Sequence, residues 1–294
     1  MAFDWLHSRT AALSAVLAAL SLGACDNSID PFSESTRYYA IFGFLDADRD
    51  SQFVRIEPTR SNREAGPVEY DVESVITTDL TSGEIVVWKD SLVELEEGGV
   101  GLVYYASFRP ERGRRYRIEV ARSDGATTSA ETTVPDTPPL SVRRPDRSFL
   151  GSLEQGLLFE GVVRRPEQVV VNYAVSFGNL TDPLDVNLVY NVPGVPEGDG
   201  WRIIVRLTRD KATVFQRLSL TANDEVALHT LSIDLRLLSD DWPLTDPGLT
   251  ETNVTNGFGF LGSAATHHAS WVLDSLFVVE LGFINRQDAA GNAQ

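Results

Sequence analysis

From Arg37 onward the apolar positions of this chain tend to recur every second residue, the period of a pleated strand. Tyr38 to Leu45 is aromatic and β-branched. An acidic turn, Asp46 to Ser51, leads into Gln52 to Glu57, where Phe53 faces opposite to Val54 and Ile56, so the two segments predict a hairpin. Further strands are expected at Val72 to Thr78, Glu84 to Lys89, Val100 to Phe108, Arg115 to Ala121 and Thr127 to Val134. Turn signals such as Thr81-Ser82-Gly83 and Ser123-Asp124-Gly125 separate them. In the second half the pattern predicts Leu157 to Val163, Gln168 to Phe177, Val186 to Val192, Trp201 to Thr208, Val214 to Thr221, Ala227 to Leu238 and Ser270 to Phe283. Leu231, Ile233, Leu235 and Leu237 alternate there with Thr230, Ser232, Asp234 and Arg236. No stretch shows a convincing helical period. Short strands between regular turns predict an all-β fold of two β-sandwich domains in tandem.

Pro135-Asp136-Thr137-Pro138-Pro139 interrupts this pattern, and proline cannot donate to a sheet ladder. We therefore expect a first sandwich over residues 37–134, a Pro-rich linker over 135–148, a second sandwich over 149–285 and a flexible tail over 286–294. The long loops Asn191 to Gly200 and Ser239 to Thr255 belong to the second domain. No internal repeat of fixed period is visible.

The chain opens differently. Met1 to Arg9 holds one fixed positive charge, Arg9, and an apolar stretch follows from Thr10 to Leu22. As a helix rising about 1.5 Å per residue it would reach only about 20 Å, short of the roughly 30 Å hydrocarbon core, which suits a cleavable signal. Leu22-Gly23-Ala24-Cys25 comes next. It resembles the lipobox of bacterial lipoproteins, in which two small residues admit the signal peptidase and the cysteine thiol takes a diacylglyceryl group. Cys25 is the sole cysteine, so no intramolecular disulfide competes for it. Residues 1–24 are expected to be a signal peptide and 25–36 a lipidated tether. The resemblance implies three acyl chains, enough to hold a bilayer where a single chain is marginal.

Composition narrows the picture. Hydrophobic residues make up 43%, enough for real cores. The net charge of -17 argues against nucleic acid and anionic lipid surfaces as partners, since both need a basic footprint. Lys89 and Lys211 are the only lysines. A saline habitat and an arginine-favouring, GC-rich genome explain that composition equally well.

Candidate chemistry is sparse. Gly257-Phe258-Gly259-Phe260-Leu261-Gly262 spells the dinucleotide fingerprint, but no strand–helix unit surrounds it, and a Gly/Phe strand with close backbone approach accounts for it better. Asp46, Asp48 and Asp50, with Glu57 further on, have the spacing of a calcium loop. Ser51 stands where glycine is needed, however, and a hairpin would carry Glu57 away from the turn. The adjacent His267 and His268 would point to opposite faces of a strand and cannot chelate one ion together. No nucleophile elbow is present. Neither a metal nor a cofactor is expected, and no catalytic residue is assigned. Trp201 and Trp242 border loops rich in Pro, Gly and Asp, where a rigid aromatic could anchor a sugar, peptide or protein partner.

Three features carry a family resemblance: the lipobox followed by an aromatic first strand; Gly113 to Val120 closing, through Asp124-Gly125 and Thr132-Thr133-Val134-Pro135, on the proline-rich segment; and Asn253-Val254-Thr255-Asn256-Gly257-Phe258-Gly259-Phe260-Leu261-Gly262. Together they resemble a family of Gram-negative envelope lipoproteins catalogued only as a domain of unknown function (number forty-two forty-nine). The pattern departs at Leu261, where a second aromatic is usual. The resemblance implies an immunoglobulin- or transthyretin-like first sandwich. Members are often encoded beside outer-membrane transporters, which implies an accessory role toward such a transporter or another envelope protein.

The expectation is thus a non-enzymatic binding or scaffold lipoprotein of the cell envelope, held to the outer membrane by its N-terminal lipid. The alternative is an exported hydrolase of glycans or peptides using acidic loop residues of the second domain. A cluster of buried carboxyls with raised pKa values would mark the hydrolase. For the anchor, Cys25→Ser should abolish incorporation of a clickable fatty acid. Label persisting in the serine variant would refute lipidation at Cys25.

Overall fold

The computed structural model describes residues 38–59, 71–95, 99–162, 164–178, 180, 182–191, 194–242 and 253–284. The expected signal peptide, Cys25, the tether and the tail lie outside the described residues. The fold is all-β, built as sandwiches. β1 (Tyr39–Asp46) and β2 (Gln52–Pro58) form the expected hairpin, with Ile41, Leu45, Val54 and Ile56 buried and Phe44 and Phe53 exposed on the other face. β3 (Ser74–Asp79) and β4 (Ile85–Val87) form a second hairpin. The strand expected over Glu84 to Lys89 breaks at Trp88, where the chain changes sheets. The buried indole donates to Thr77 Oγ1 at 2.8 Å and the Trp88 amide to the Val75 carbonyl, which turns the corner. The chain continues as β5 (Lys89–Leu95), β6 (Gly99–Ala106), β7 (Arg115–Ala121) and β8 (Thr127–Thr133).

The segment 135–148, read as a linker, contains paired structure. β9 (Leu140–Val142) and β10 (Asp146–Arg147) both lie against β11 (Leu153–Phe159). Pro139 and Pro145 stand just outside these two strands, because a residue without an N–H bounds a ladder more readily than it joins one. β12 (Gln168–Phe177), β13 (Leu184–Tyr190), β14 (Val195–Glu197) and β15 (Gly200–Val205) follow.

Two segments expected as strands are helical instead. α1 (Leu207–Arg217) replaces the strand expected at Val214 to Thr221, and its buried residues are Leu207, Asp210, Val214 and Phe215. That is helical spacing with an aspartate in the apolar stripe. The Asp210 carboxylate accepts hydrogen bonds from Tyr173 Oη at 2.9 Å and from Tyr190 Oη. Burial pushes its pKa above the ordinary value, although both hydroxyls pull the other way. β16 (Val226–Leu238), β17 (Val254–Thr255) and the fifteen-residue β18 (Gly257–Trp271) come next. After Trp271 the strand expected from Ser270 to Phe283 gives way to α2 (Ser275–Glu280), capped by Asp274, which accepts from the Leu276 amide at 2.9 Å.

The strands form three sheets. The largest has eight strands in the order β13-β12-β16-β18-β1-β2-β6-β5. The second runs β10-β11-β15-β14 with β9 beside β11, and the third runs β17-β8-β7-β3-β4. Two hydrophobic cores result. One joins Ile41, Val54 and Ile56 of the large sheet to Val75, Ile118 and Val120 of the third. The other joins Val171, Tyr173 and Ile233 of the large sheet to Leu157, Phe159 and Ile203 of the second. β18 serves both, giving Leu261 and Ala265 to the first core and Trp271 to the second. It pairs antiparallel with β16 and parallel with β1, from Tyr39 opposite Gly257 to Asp46 opposite Ala264. Two sandwiches are therefore backed by one continuous sheet.

Charge ties the same seam. Arg236 on β16 donates to both Asp46 oxygens at 3.1 and 2.8 Å and to Asp48 at 3.0 Å. Arg112 donates to Asp48 at 2.9 Å and to the Thr266 carbonyl at 2.7 Å. Burial alone would raise the Asp46 carboxyl; the Arg236 bonds, the Asp48 amide and the Arg49 charge outweigh it and hold the pKa below the usual value. Asp79, at the β3–β4 turn, behaves alike. Burial is overcome by Arg114 at 2.7 Å and the amides of Thr81 and Ser82, which hold its carboxyl down at about 2.

A carboxyl lowered in the folded state binds fewer protons there than in the unfolded chain. The stability it contributes is therefore complete above the unfolded value of about 3.9 and is lost as the pH falls toward 2. Melts recorded from pH 7 to pH 2 should show Tm dropping steeply below about pH 4. Asp79→Asn should begin lower at pH 7 and converge on the parent near pH 2. Parallel curves would contradict the assignment.

Candidate functional site

The outward side of the eight-stranded sheet carries an aromatic row. Direct cross-strand partners share a face, and the register places Phe44 opposite Phe53, Phe53 opposite Tyr105 and Tyr105 opposite Lys89. On the far side of Phe44 its partner is Gly262 of β18, and Trp242 lies over that glycine. Trp242, Phe44, Phe53 and Tyr105 thus cross β18, β1, β2 and β6 in a line that ends at Lys89 on β5. Ring centroids are 5.3 Å apart for Phe44 and Trp242 and 6.5 Å for Phe53 and Tyr105. Phe42 and Phe260, mutual partners one step along, broaden the row at β1 and β18, with Phe260 5.7 Å from Trp242. Phe53 is 55% exposed and Phe44 39%. Large apolar side chains held this open in a contiguous group mark an interaction surface more often than isolated ones do.

Trp242 is fixed from below and behind. A Cβ on Gly262 would fall 2.6 Å from its Cε3, so only glycine lets the indole settle on the strand. The turn that presents it is fastened by Ser239, whose amide donates to the Ser263 carbonyl at 2.8 Å, and by Arg164, which donates to the Ser239 and Trp242 carbonyls. Gly257 and Gly259 have a different role. Side chains there would strike the Tyr39 and Ile41 carbonyls of β1 at 2.4 and 2.0 Å, and Gly259 adopts φ +93°. The glycine signature is thus strand backbone in close approach, with its third glycine a seat for a tryptophan.

The two tryptophans singled out in the sequence are not brought together. Trp201 sits on β15, half-buried, opposite Phe159 on one side and Pro196 on the other, in the second sheet. The loops around them fall partly outside the described residues, at 192–193 and 243–252. Phe44, Phe53 and Tyr105 were missed as site residues because each reads as an ordinary strand position. Only their register, with every second residue of the β1–β2 hairpin facing out and aromatic at Phe42, Phe44 and Phe53, could have signalled the row.

The acidic turn is arginine-compensated. Asp46 and Asp48 face Arg236, and Asp50 pairs with Arg109 at 3.0 Å. Glu57 lies down β2, paired with Arg55. The calcium spacing therefore does not converge on one point. His267 and His268 lie on β18 and point to its opposite faces, as expected of neighbours on a strand. His267 is buried with its ring 5.8 Å from Phe159, while exposed His268 meets Asp234 at 2.7 Å. A cleft of about 180 Å³ between the β3–β4 hairpin and Phe108 gathers Asp79, Glu84 and Glu111, yet Arg114 neutralises both Asp79 and Glu111. Among the described residues, the carboxyl raised by burial is Asp210, whose partners are tyrosines within the second core.

Residues 27–173, half of the chain, match the family described as Domain of unknown function (DUF4249). No curated protein matches the chain.

The seating of Trp242 on Gly262 can be checked by fluorescence. Gly262→Ala places a methyl where the indole lies, and should shift tryptophan emission. The same substitution in a Trp242→Phe background should change nothing. An unshifted Gly262→Ala spectrum would show that the ring is not seated there.

Proposed function

The chain belongs to the DUF4249 family of domains of unknown function, and from that premise we propose that it is a lipid-anchored, non-enzymatic binding module of the cell envelope. The observation that carries this reading is the exposed aromatic row across the eight-stranded sheet. Rings on adjacent strands of a rigid sheet lose little conformational freedom on binding and bury much area, as anchors of an interface do. The lipobox-like Leu22-Gly23-Ala24-Cys25 supports the anchor, and the polar stretch to Thr36 supplies the tether. The module works at the envelope beside an outer-membrane transporter or other envelope protein, and the row is the face that takes its ligand. The hydrolase alternative gains no support from Asp210, because its carboxylate is used up by two tyrosines in a core.

Crosslinked pull-downs from native envelopes test this reading. Phe53→Ala and Trp242→Ala should each reduce partner recovery several-fold. Phe53→Ala should leave Tm nearly unchanged, since truncating an exposed ring costs far less than the roughly 3–5 kcal/mol of a buried one. Undiminished recovery from both folded variants would dismiss the row as the binding face.

A further inference from the structure

We infer that the aromatic row is a stacking site for a linear, neutral polysaccharide; this rests on the proposed binding face and names its ligand class. The first argument is shape. Adjacent strands lie about 4.8 Å apart, so rings lying over four neighbouring strands span roughly 14 Å, comparable to a short run of linked pyranose rings. A pyranose has an apolar C–H face and a rim of hydroxyls. It therefore wants an aromatic surface beneath and polar groups at the edges.

Both are present. The Trp242–Phe44–Phe53–Tyr105 line provides the surface. On one flank stands the exposed Arg55–Glu57 pair, and on the other the Arg236–Asp46 pair. Lys89 closes the far end, opposite Tyr105. Among the described residues Lys89 makes no ion pair and the Tyr105 hydroxyl no hydrogen bond, which leaves both for a ligand's hydroxyls.

The second argument is width. A protein interface of standard size buries about 800 Å² on each side around a broad apolar centre. Here the apolar surface is a stripe between ion pairs, widened only where Phe42 and Phe260 join it. The third is charge. At -17 the chain repels polyanions, so uronic-acid and sulfated glycans are disfavoured and neutral ones are not.

Affinity electrophoresis of the purified full-length chain through gels containing hydroxyethyl cellulose, arabinoxylan, galactomannan or soluble starch tests the inference, with alginate as the polyanionic comparison. At least one neutral glycan should retard the protein and alginate should not. Phe53→Ala and Trp242→Ala should each weaken that retardation at least tenfold, and oligosaccharides of the retarding glycan should shift the Trp242 emission. Migration unchanged by all four neutral glycans overturns the inference, as does retardation equal in the parent and both variants. If no glycan retards the chain while envelope recovery still depends on Phe53, the ligand class is wrong and the binding face stands. If neither depends on the row, both readings fall.

Discussion

The parallel ladder between β1 and β18 is the contact on which the architecture turns. Parallel neighbours cannot be joined by a tight hairpin and need a long crossover. Here the crossover is almost the entire described chain. Without that ladder the first sandwich would lack Leu261 and Ala265, and the large sheet would split into two four-stranded pieces with open edges. The ladder also fixes composition. β18 approaches β1 so closely that side chains at positions 257 and 259 would run into carbonyl oxygens, so glycine is required at both. The arginine network around Asp46 and Asp48 lies at the end of the same ladder, where Asp46 is the last paired residue of β1. Backbone pairing and charge pairing therefore secure one seam by independent means.

The aromatic row follows from this geometry. Four rings form one line because β18 brings Gly262 and its tryptophan beside Phe44, while the β1–β2 hairpin and β6 carry Phe53 and Tyr105 onward. Two sandwiches with separate back sheets would leave the row interrupted at β1. Trp242 belongs to the second half of the chain and Phe53 to the first, so the site is a property of the joined sheet.

Legibility from sequence tracked how strictly side chains obey a single period. Arg115 to Ala121 alternates cleanly, Gln168 to Phe177 is a β-branched apolar run, and the pattern predicts both with their observed bounds. β18 is legible at its Gly/Phe start and at its end but not between, because Gly, Ala, Thr and His dominate that stretch; a strand buried between two neighbours needs no β-branched residues where its neighbours approach closely. Val214 to Thr221 looks like a strand because Asp210 interrupts the apolar stripe that would reveal α1; it is tolerated there by two tyrosine hydroxyls contributed from other elements. Val278 and Val279 gave α2 the look of a strand, although Asp274 is a sound helix cap. For the site, Trp242 was legible because it borders a polar loop. Its partners were not, because an outward aromatic on a strand resembles a core residue until its register is known. Nothing in local sequence announces that residue 39 lies beside residue 257.

That separation governs the order in which the molecule can be made. A chain emerging N-terminus first presents β1 to β8 long before β18 exists. Until the last strands arrive, the outer edge of β1 is an unpaired row of backbone donors and acceptors, and the first core lacks Val254, Leu261 and Ala265. Closure thus waits for nearly complete synthesis and carries the slow kinetics of contacts distant in sequence. In the interval the nascent first sandwich exposes a sticky strand edge. This fold therefore places its greatest demand on chaperoning during emergence rather than on stability once complete.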